Sequence, residues 1–418
     1  MDIRLRYMPD CADGRPVRLP GSKSMAARAL VICYMLGADT RLLGMPDCND
    51  TRELSAAFAR LRAWKQSDGA DIDAPVDFNL GEGGTSLRFF LAVAASEPGL
   101  TARIDCAEAL RRRPLAPLID VLRRAGADIR CLGEDGRAPL LVKGTRLDGS
   151  GIELTPEFRA AAGVSSQFVS ALMMASIGWK CRLKSAEVDV VSKPYMEMTR
   201  RMIDLLETRP ECYRIEPDWS AASYFYEFGM ITGRRVRFED DPDPKASLQG
   251  DAAIARIASA VIDGRENCAP ADALSGELTA LDMKDTPDLV PALAAGFCFA
   301  GIPFRFEDVA HLRLKETDRI AAVEEEMAKA GFRIDDGVAT DGRAYMEWRG
   351  EMQPGFSGSR EGRTFRYDSH NDHRMAMSMA ITAAAGGDVV ISGAEAVRKS
   401  FPSFFDEIGK LGFVIIGE

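Results

Sequence analysis

The run Met375–Ala385, MAMSMAITAAA, is apolar almost all round when drawn as a helix. In a soluble protein such a helix has to be enclosed on every side. Val290–Ala300 has the same character. Both runs follow short polar stretches, Asn371-Asp372-His373-Arg374 and Asp285-Thr286-Pro287-Asp288. Four more stretches repeat this design of a polar or glycine-bearing loop feeding an Ala/Met/Leu/Phe-rich helix. They begin near Ser22, at Gly81–Thr85, at Gly163–Gln167 and at Asp218–Ser220. The intervals are irregular, about 55 to 86 residues, which fits a repeated supersecondary unit and not a solenoid array. Each unit reads as loop, buried helix, strand, surface helix, strand, so the expected class is α/β.

The loops give this architecture its chemistry. In Leu19–Leu36, LPGSKSMAARALVICYML, Pro20 and Gly21 break the backbone ahead of Ser22-Lys23-Ser24. The helix that follows aims free N–H groups and the positive end of its dipole at one spot, where Lys23 and Ser24 sit, with Arg28 one turn on. That is the composition of a phosphate site, and equally that of an ordinary N-cap with two solvated cations. Repetition separates the two readings: six such loops converging would make one strongly anion-seeking centre.

Length and composition set limits. At 418 residues the chain calls for two domains, with crossovers near 18 and 218. The expected division is 1–18 with 219–418 as one domain and 19–218 as the other, the first strand joining the C-terminal half. A net charge of -10 argues against nucleic acid as a partner. No run of 18 apolar residues appears, and Met1–Asp10 lacks the form of a signal peptide, so a cytoplasmic protein off the membrane is expected. Nine dispersed cysteines without a CxxC pair read as reduced thiols, and three histidines are too few for a histidine-built metal site.

Local patterns predict a strand at Ile3–Tyr7, a helix from Lys23 ending near Gly37, and a short strand at Arg41–Leu43. Asn49-Asp50-Thr51 is expected to cap a helix through Leu61. Strands are expected at Val188–Val191 and around Arg235–Glu239, with 236–280 otherwise irregular. Arg111-Arg112-Arg113-Pro114 reads as the start of a helix running to Arg124, where three cations oppose the dipole unless an anion is present. Gly83-Gly84-Thr85 allows close backbone approach to a ligand, with Arg88 one turn in; the third glycine of a dinucleotide fingerprint is missing. Ser165, Ser166 and Gln167 suit sugar oxygens as well as phosphate, and Tyr195 offers a ring face and a hydroxyl. In Arg313–Arg319, Lys315 and Arg319 are placed at i, i+4 on one helical face with Glu316 beside them. Arg398–Pro402 is read as opening the last helix. No GxxxxGK[ST] exists, which disfavours a nucleotide-hydrolysing reading.

Taken together, LPGSKSMAARAL, GGTSLR, RRRP, GVSSQF, SKPY, TPD, KETDR, NDHRMAM and KSFP resemble, in order and over nearly the full length, the 5-enolpyruvylshikimate-3-phosphate synthase family. KETDR with NDHRMAM is the specific part. The resemblance implies a two-domain enolpyruvyl transferase fold of six βαβαββ units, three per domain, around buried parallel helices. It implies transfer of the enolpyruvyl group of phosphoenolpyruvate to the 5-hydroxyl of shikimate 3-phosphate, releasing phosphate through a tetrahedral intermediate. A monomer without metal or organic cofactor is expected, with glyphosate competing with phosphoenolpyruvate because no methyl is added at Gly84. By the same resemblance Lys23, Gly84, Arg113, Gln167, Arg319, Arg374 and Lys399 hold phosphoenolpyruvate. Shikimate 3-phosphate falls to Lys23, Ser24, Arg28, Ser165, Ser166, Gln167, Ser192, Tyr195, Asp288, His311 and Lys315. Asp288 is the base toward the 5-hydroxyl, Glu316 the acid that protonates the methylene carbon, and Lys23 assists the leaving phosphate.

Three positions depart from the family pattern: Glu82, Ala27 and His311 each stand where asparagine is usual. An acid at 82 weakens anion binding unless Arg88 or Arg113 neutralises it. The nearest rival is UDP-N-acetylglucosamine enolpyruvyl transferase. Cys106 precedes Arg113 by seven residues, but the glycine-rich loop of that enzyme is absent, and KETDR and SKPY favour the shikimate enzyme. A non-catalytic anion-binding protein of this fold would be expected to lack Asp288 or Glu316; both are present.

Overall fold

A computed structural model describes residues 1–67, 74–149, 158, 166–183, 191–266, 279–356, 360 and 362–416. Its contacts divide the chain into two units, Met1–Pro20 with Pro217–Glu418, and Gly21–Glu216. The strand expected at Val188–Val191 falls largely outside the described residues, as does Ser165.

The first strand, β1 (Ile3–Tyr7), belongs to the unit that holds the C-terminus. In the unit Gly21–Glu216, β2 (Arg41–Leu43) pairs in parallel with β7 (Cys212–Arg214). Between them come β3 (Val76–Asn79), β4 (Thr101–Asp105), β5 (Asp128–Cys131) and β6 (Leu140–Lys143), which form a sheet in the order β3-β4-β6-β5. β3 and β4 run parallel, with Phe78 opposite Ile104, and the other two pairings are antiparallel. The unit carrying both termini repeats this plan. There β8 (Thr279–Asp282), β9 (Phe304–Glu307), β10 (Asp335–Val338) and β11 (Ala344–Trp348) give the order β10-β11-β9-β8.

The last sheet contains β12 (Thr364–Asp368), β13 (Asp388–Ser392) and β14 (Phe413–Ile416) in the order β12-β13-β1-β14. Here β1 takes the place that the fourth strand of the motif fills in the other two sheets. It lies antiparallel between β13 and β14, with Leu5 opposite Val389 and Ile415. The alternation of β12, with Phe365 and Tyr367 inward and their neighbours outward, is the period-2 pattern of a half-buried strand.

In each four-stranded sheet a buried helix links the two parallel strands: Gly84–Ala95, Val290–Ala300 and His373–Ile381, the last extended by a 3₁₀ turn to Ala385. Lys23–Leu36, Ser166–Ala175 and Trp219–Thr232 are buried in the same way. Helix ends follow sequence: Ser22 and Asp218 cap with their side chains, and Gly37 and Gly301 take the left-handed conformation at the C-caps.

Several local expectations need correction. Around Arg235–Glu239 there is only a single bridge, Val17 to Phe238, and the irregular stretch after it contains a helix, Ala253–Glu266. The helix from Asn49 runs to Gln66; its N-cap is Cys48, whose thiol lies against Thr51 Oγ1 and caps no amide, and Asp50 is paired with Lys23. The arginine trio does not open a helix. Arg111 ends the short helix Glu108–Arg111, where a cation suits the dipole, and the next helix starts at Ala116. Lys399 likewise ends a 3₁₀ turn, Ala394–Lys399, and the last helix is Phe404–Gly409.

Candidate active site

Within the unit Gly21–Glu216, the mouths of three buried helices are tied together by side chains. Lys23 Nζ, in the first turn of its helix, lies 2.9 Å from Asp50 Oδ2. The Asp50 carbonyl accepts from Ser86 Oγ at 3.3 Å, and Ser86 belongs to the helix Gly84–Ala95. Gln167, at the start of the third helix, donates to Thr85 Oγ1 at 3.0 Å and accepts from Arg88 Nη1 at 2.9 Å. A small cleft is lined by Lys23, Ser24, Asp50, Thr51, Thr85 and Ser86.

Arg113 belongs to this group through Gly84. A Cβ on Gly84 would lie 2.8 Å from Arg113 Nη1 and 2.9 Å from Arg88 Nη1, so two guanidinium groups flank a residue that has no side chain to keep them off. Of the other two arginines of the trio, Arg111 is forked on Asp105 at 2.9 and 2.7 Å and Arg112 is exposed. Glu82 is exposed, and its charge joins burial and Asp50 in pushing the Glu53 carboxyl up to about 7.

Arg28 is buried, 1% exposed, and held by protein groups on several sides. It donates to Thr199 Oγ1 at 2.7 Å, the Ser24 carbonyl at 2.8 Å, the Tyr195 carbonyl at 3.3 Å and Ser170 Oγ at 3.4 Å. Its guanidinium sits between the rings of Phe89 and Tyr195, at 5.2 and 5.6 Å from their centroids. Burial pulls its pKa down to about 10, so it stays charged near neutrality. Four of its five N–H groups are therefore engaged. Ser192, in the left-handed conformation at the mouth of Lys193–Glu207, and Ser166 are buried beside these elements.

The second group lies in the unit that carries both termini. Asp288, in the 3₁₀ turn that leads into Val290–Ala300, accepts from Arg319 Nη1 and from Arg374 Nη2, both at 2.8 Å, with Lys315 Nζ at 3.9 Å. Burial alone would raise its pKa. The fields of Arg374, Lys315 and Arg319 outweigh burial and hold the carboxyl well below the usual range. Lys315 is not on the helix with Arg319, as the i, i+4 expectation had it, because the helix starts at Arg319 behind the cap Asp318. The two cations meet at Asp288 instead.

Arg319 is bound by three carboxylates: Asp372 at 2.7 Å, Asp288 at 2.8 Å and Glu316 at 2.7 Å. Asp372 also accepts from the Arg374 amide at 2.9 Å and so caps His373–Ile381. Ser220, at the mouth of Trp219–Thr232, donates to the buried Asp251. Burial and the charge of Asp288 push Asp251 up to about 6, against the pull of Arg374. All three helix mouths of this unit thus feed one network. Lys399 Nζ donates to the Asn371 carbonyl at 2.7 Å. His311 is buried, its Nε2 has no hydrogen-bond partner among the described residues, and burial together with Lys315 pulls the ring down to about 3, so it is neutral.

Most of these positions, Arg88 and Asp372 among them, stand out in the sequence; Asp50, Asp251 and Thr199 do not stand out there as members of the networks. Asp50 reads as an ordinary helix-cap acid, and only the fold brings Lys23 to it and Arg319 to Asp372. Among the described residues, the group with metal-ligand spacing is Glu325, Glu326 and His370, outside these networks. No helix among them is long and apolar enough to cross a membrane.

The sequence model of the family described as EPSP synthase (3-phosphoshikimate 1-carboxyvinyltransferase) matches residues 14–209 and 206–408. The 3-phosphoshikimate 1-carboxyvinyltransferase of Opitutus terrae is 31% identical over 439 aligned residues, covering 95% of each chain. The enzyme of that name from Bacteroides fragilis is 29% identical over 429, covering 96% of each. EPSP synthase from Acinetobacter baumannii superposes with a TM-score of 0.60 over 99% of this chain and 100% of its own; at 18% identity this is a likeness of fold. The chain belongs to the EPSP synthase (3-phosphoshikimate 1-carboxyvinyltransferase) family.

Proposed function

We propose that this protein transfers the enolpyruvyl group of phosphoenolpyruvate to shikimate 3-phosphate, with the two networks dividing the work. The observation that carries the division of roles is the Asp288 carboxylate held between Arg319, Arg374 and Lys315. Three cations around one acid make an anion-binding group with a proton acceptor inside it.

The substrates bring two phosphates and two carboxylates, about six negative charges. By the family resemblance Lys23, Gly84, Arg113, Gln167, Arg319, Arg374 and Lys399 are assigned to phosphoenolpyruvate. Ser24, Ser165, Ser166, Ser192, Tyr195 and Lys315 take shikimate 3-phosphate. Arg28 has four N–H groups committed to protein acceptors, so it acts mainly by shaping the Ser24 and Tyr195 surface. His311, neutral with an open ring nitrogen, reads a substrate hydroxyl. Without substrate Asp288 is a weak base. Binding of phosphoenolpyruvate anions to Arg374 and Arg319 removes part of the field that depresses it, and its proton affinity rises when the 5-hydroxyl is in place. The same anions compete for Arg319 and free Glu316, which then takes up a proton and passes it to the methylene carbon, while Lys23 neutralises the departing phosphate. Glyphosate occupies the phosphoenolpyruvate position, and the protein works as a cytoplasmic monomer.

Replacing Asp288 with asparagine tests this assignment. Turnover is expected to fall about 100-fold or more, while KM for phosphoenolpyruvate stays level or drops, because two guanidinium groups lose a competing carboxylate. Turnover near that of the unaltered protein would remove Asp288 as the base. The UDP-amino-sugar reading has less support, since the matching family and relatives carry the shikimate name.

A further inference from the structure

Glu326 is fully buried, 0% exposed, on the helix Arg319–Lys329. Its carboxylate accepts from Lys329 Nζ at 2.8 and 2.7 Å and from the Asp368 amide at 3.1 Å, and shares a 2.7 Å hydrogen bond with His370 Nε2. Glu325 lies close enough to complete a ligand set with Glu326 and His370. The Lys329 ammonium already fills the position a cation would take, so the cluster is built for another purpose.

That purpose is visible in the backbone it grips. His370 and Asn371 are both left-handed, at φ +50° and +54°. His and Asn adopt this conformation more readily than most side chains, but two such residues in succession still need support from their surroundings. The turn is pinned on both sides. The His370 amide donates to Asp368 Oδ1 at 2.6 Å, and the Asn371 amide donates to Ser369 Oγ at 3.2 Å. On its far side the Asn371 carbonyl receives Lys399 Nζ, and the next residues are Asp372 and Arg374.

We propose that Glu326, acting through His370, is a positioning residue for phosphoenolpyruvate. It fixes the left-handed turn whose other side sets Lys399 and the entry of Arg374. The inference rests on the assignment of Lys399 and Arg374 to that substrate. Without the His370 bond the turn relaxes toward negative φ, the Asn371 carbonyl rotates, and Lys399 loses its fixed place before substrate arrives.

Steady-state kinetics on the full chain tests this. His370→Ala is expected to raise KM for phosphoenolpyruvate about tenfold and to leave KM for shikimate 3-phosphate within twofold, with the melting temperature little changed. His370→Gln returns a donor at the reach of Nε2 and is expected to recover most of the loss. Unchanged KM for phosphoenolpyruvate in His370→Ala, or an equal loss for both substrates together with a lower melting temperature, would overturn the positioning role. Lys399→Ala separates the two possible failures. If it raises that KM while His370→Ala does not, only the positioning role falls. If neither changes it, the assignment of Lys399 falls and takes the positioning role with it.

Discussion

Arg319 Nε donates to Asp372 Oδ2 at 2.7 Å, and solvent reaches neither side chain, 1% and 0% exposed. The pair joins the start of Arg319–Lys329 to the cap of His373–Ile381, so a buried ion pair holds two site helices in register. Breaking such a pair from one side leaves an uncompensated buried charge. Asp372→Ala is expected to cost about 3 kcal/mol, the low end of the range for buried pairs because Asp288 and Glu316 still hold Arg319. The denaturant midpoint reads this, and a shift worth less than about 1 kcal/mol would mean those two acids alone suffice.

Glu227 lies in the middle of Trp219–Thr232 with no exposure, and the nearby Ser378 hydroxyl does not offset its burial. Burial pushes its pKa well above the ordinary value of 4.5, so the folded protein keeps this proton at pH values where the unfolded chain has lost it. Below 4.5 both folded and unfolded states are protonated and the group adds no pH dependence. Above 4.5 the unfolded state releases the proton and the folded state keeps it, so stability falls by roughly 1 kcal/mol per pH unit until the folded pKa is reached. Glu227→Gln removes this slope. Its stability advantage is expected to be small below pH 4.5 and to grow as the pH rises above it; an advantage independent of pH would show that Glu227 is ionised in the fold.

Glu316 pairs with Arg319 at 2.7 Å and is assigned the proton delivered to carbon. Glu316→Gln keeps the shape and loses the acid. Turnover is expected to fall about 100-fold or more while both KM values change only a few fold. Near-normal turnover would exclude it as the acid.

Glu82 is exposed, and its charge acts on the neighbouring Glu53. Because solvent screens it, Glu82→Asn is expected to tighten phosphoenolpyruvate by only about two- to threefold, and less in high salt. An unchanged KM at low salt would end the charge argument at this position.

Gly84 has two guanidinium groups within 3 Å of where a methyl would sit. Gly84→Ala is expected to displace Arg113 and Arg88 and to weaken phosphoenolpyruvate and glyphosate by about tenfold or more, a loss of at least about 1.4 kcal/mol. Inhibition constants for both compounds check this; unchanged values would place the backbone at 84 away from the ligand.

What the sequence disclosed was the local grammar. A polar loop running into an apolar helix announces itself within fifteen residues, and Ser22, Asp218 and Gly37 act at helix ends as their residue types require. KETDR and NDHR stood out because so many charges ahead of a buried helix need partners. The partners themselves were not legible. Asp50 and Asp372 lie 27 and 53 residues from Lys23 and Arg319, and nothing local says which cation each one meets. Helical spacing misplaced Lys315 because the cap at Asp318 starts the helix four residues later than an i, i+4 pairing requires. The arginine trio was misread for a related reason: nothing local marks the short helix Glu108–Arg111 that ends at Arg111. Arg28 matched a substrate-binding position, yet its guanidinium is largely consumed by Thr199, Ser170 and two carbonyls contributed by the fold.

The central claim is the reaction, and phosphate release from phosphoenolpyruvate in metal-free buffer, with and without shikimate 3-phosphate, tests it most directly. Release that depends on shikimate 3-phosphate is the predicted result. Release with UDP-N-acetylglucosamine in its place, or no release with either acceptor alongside tight phosphate binding, would contradict it.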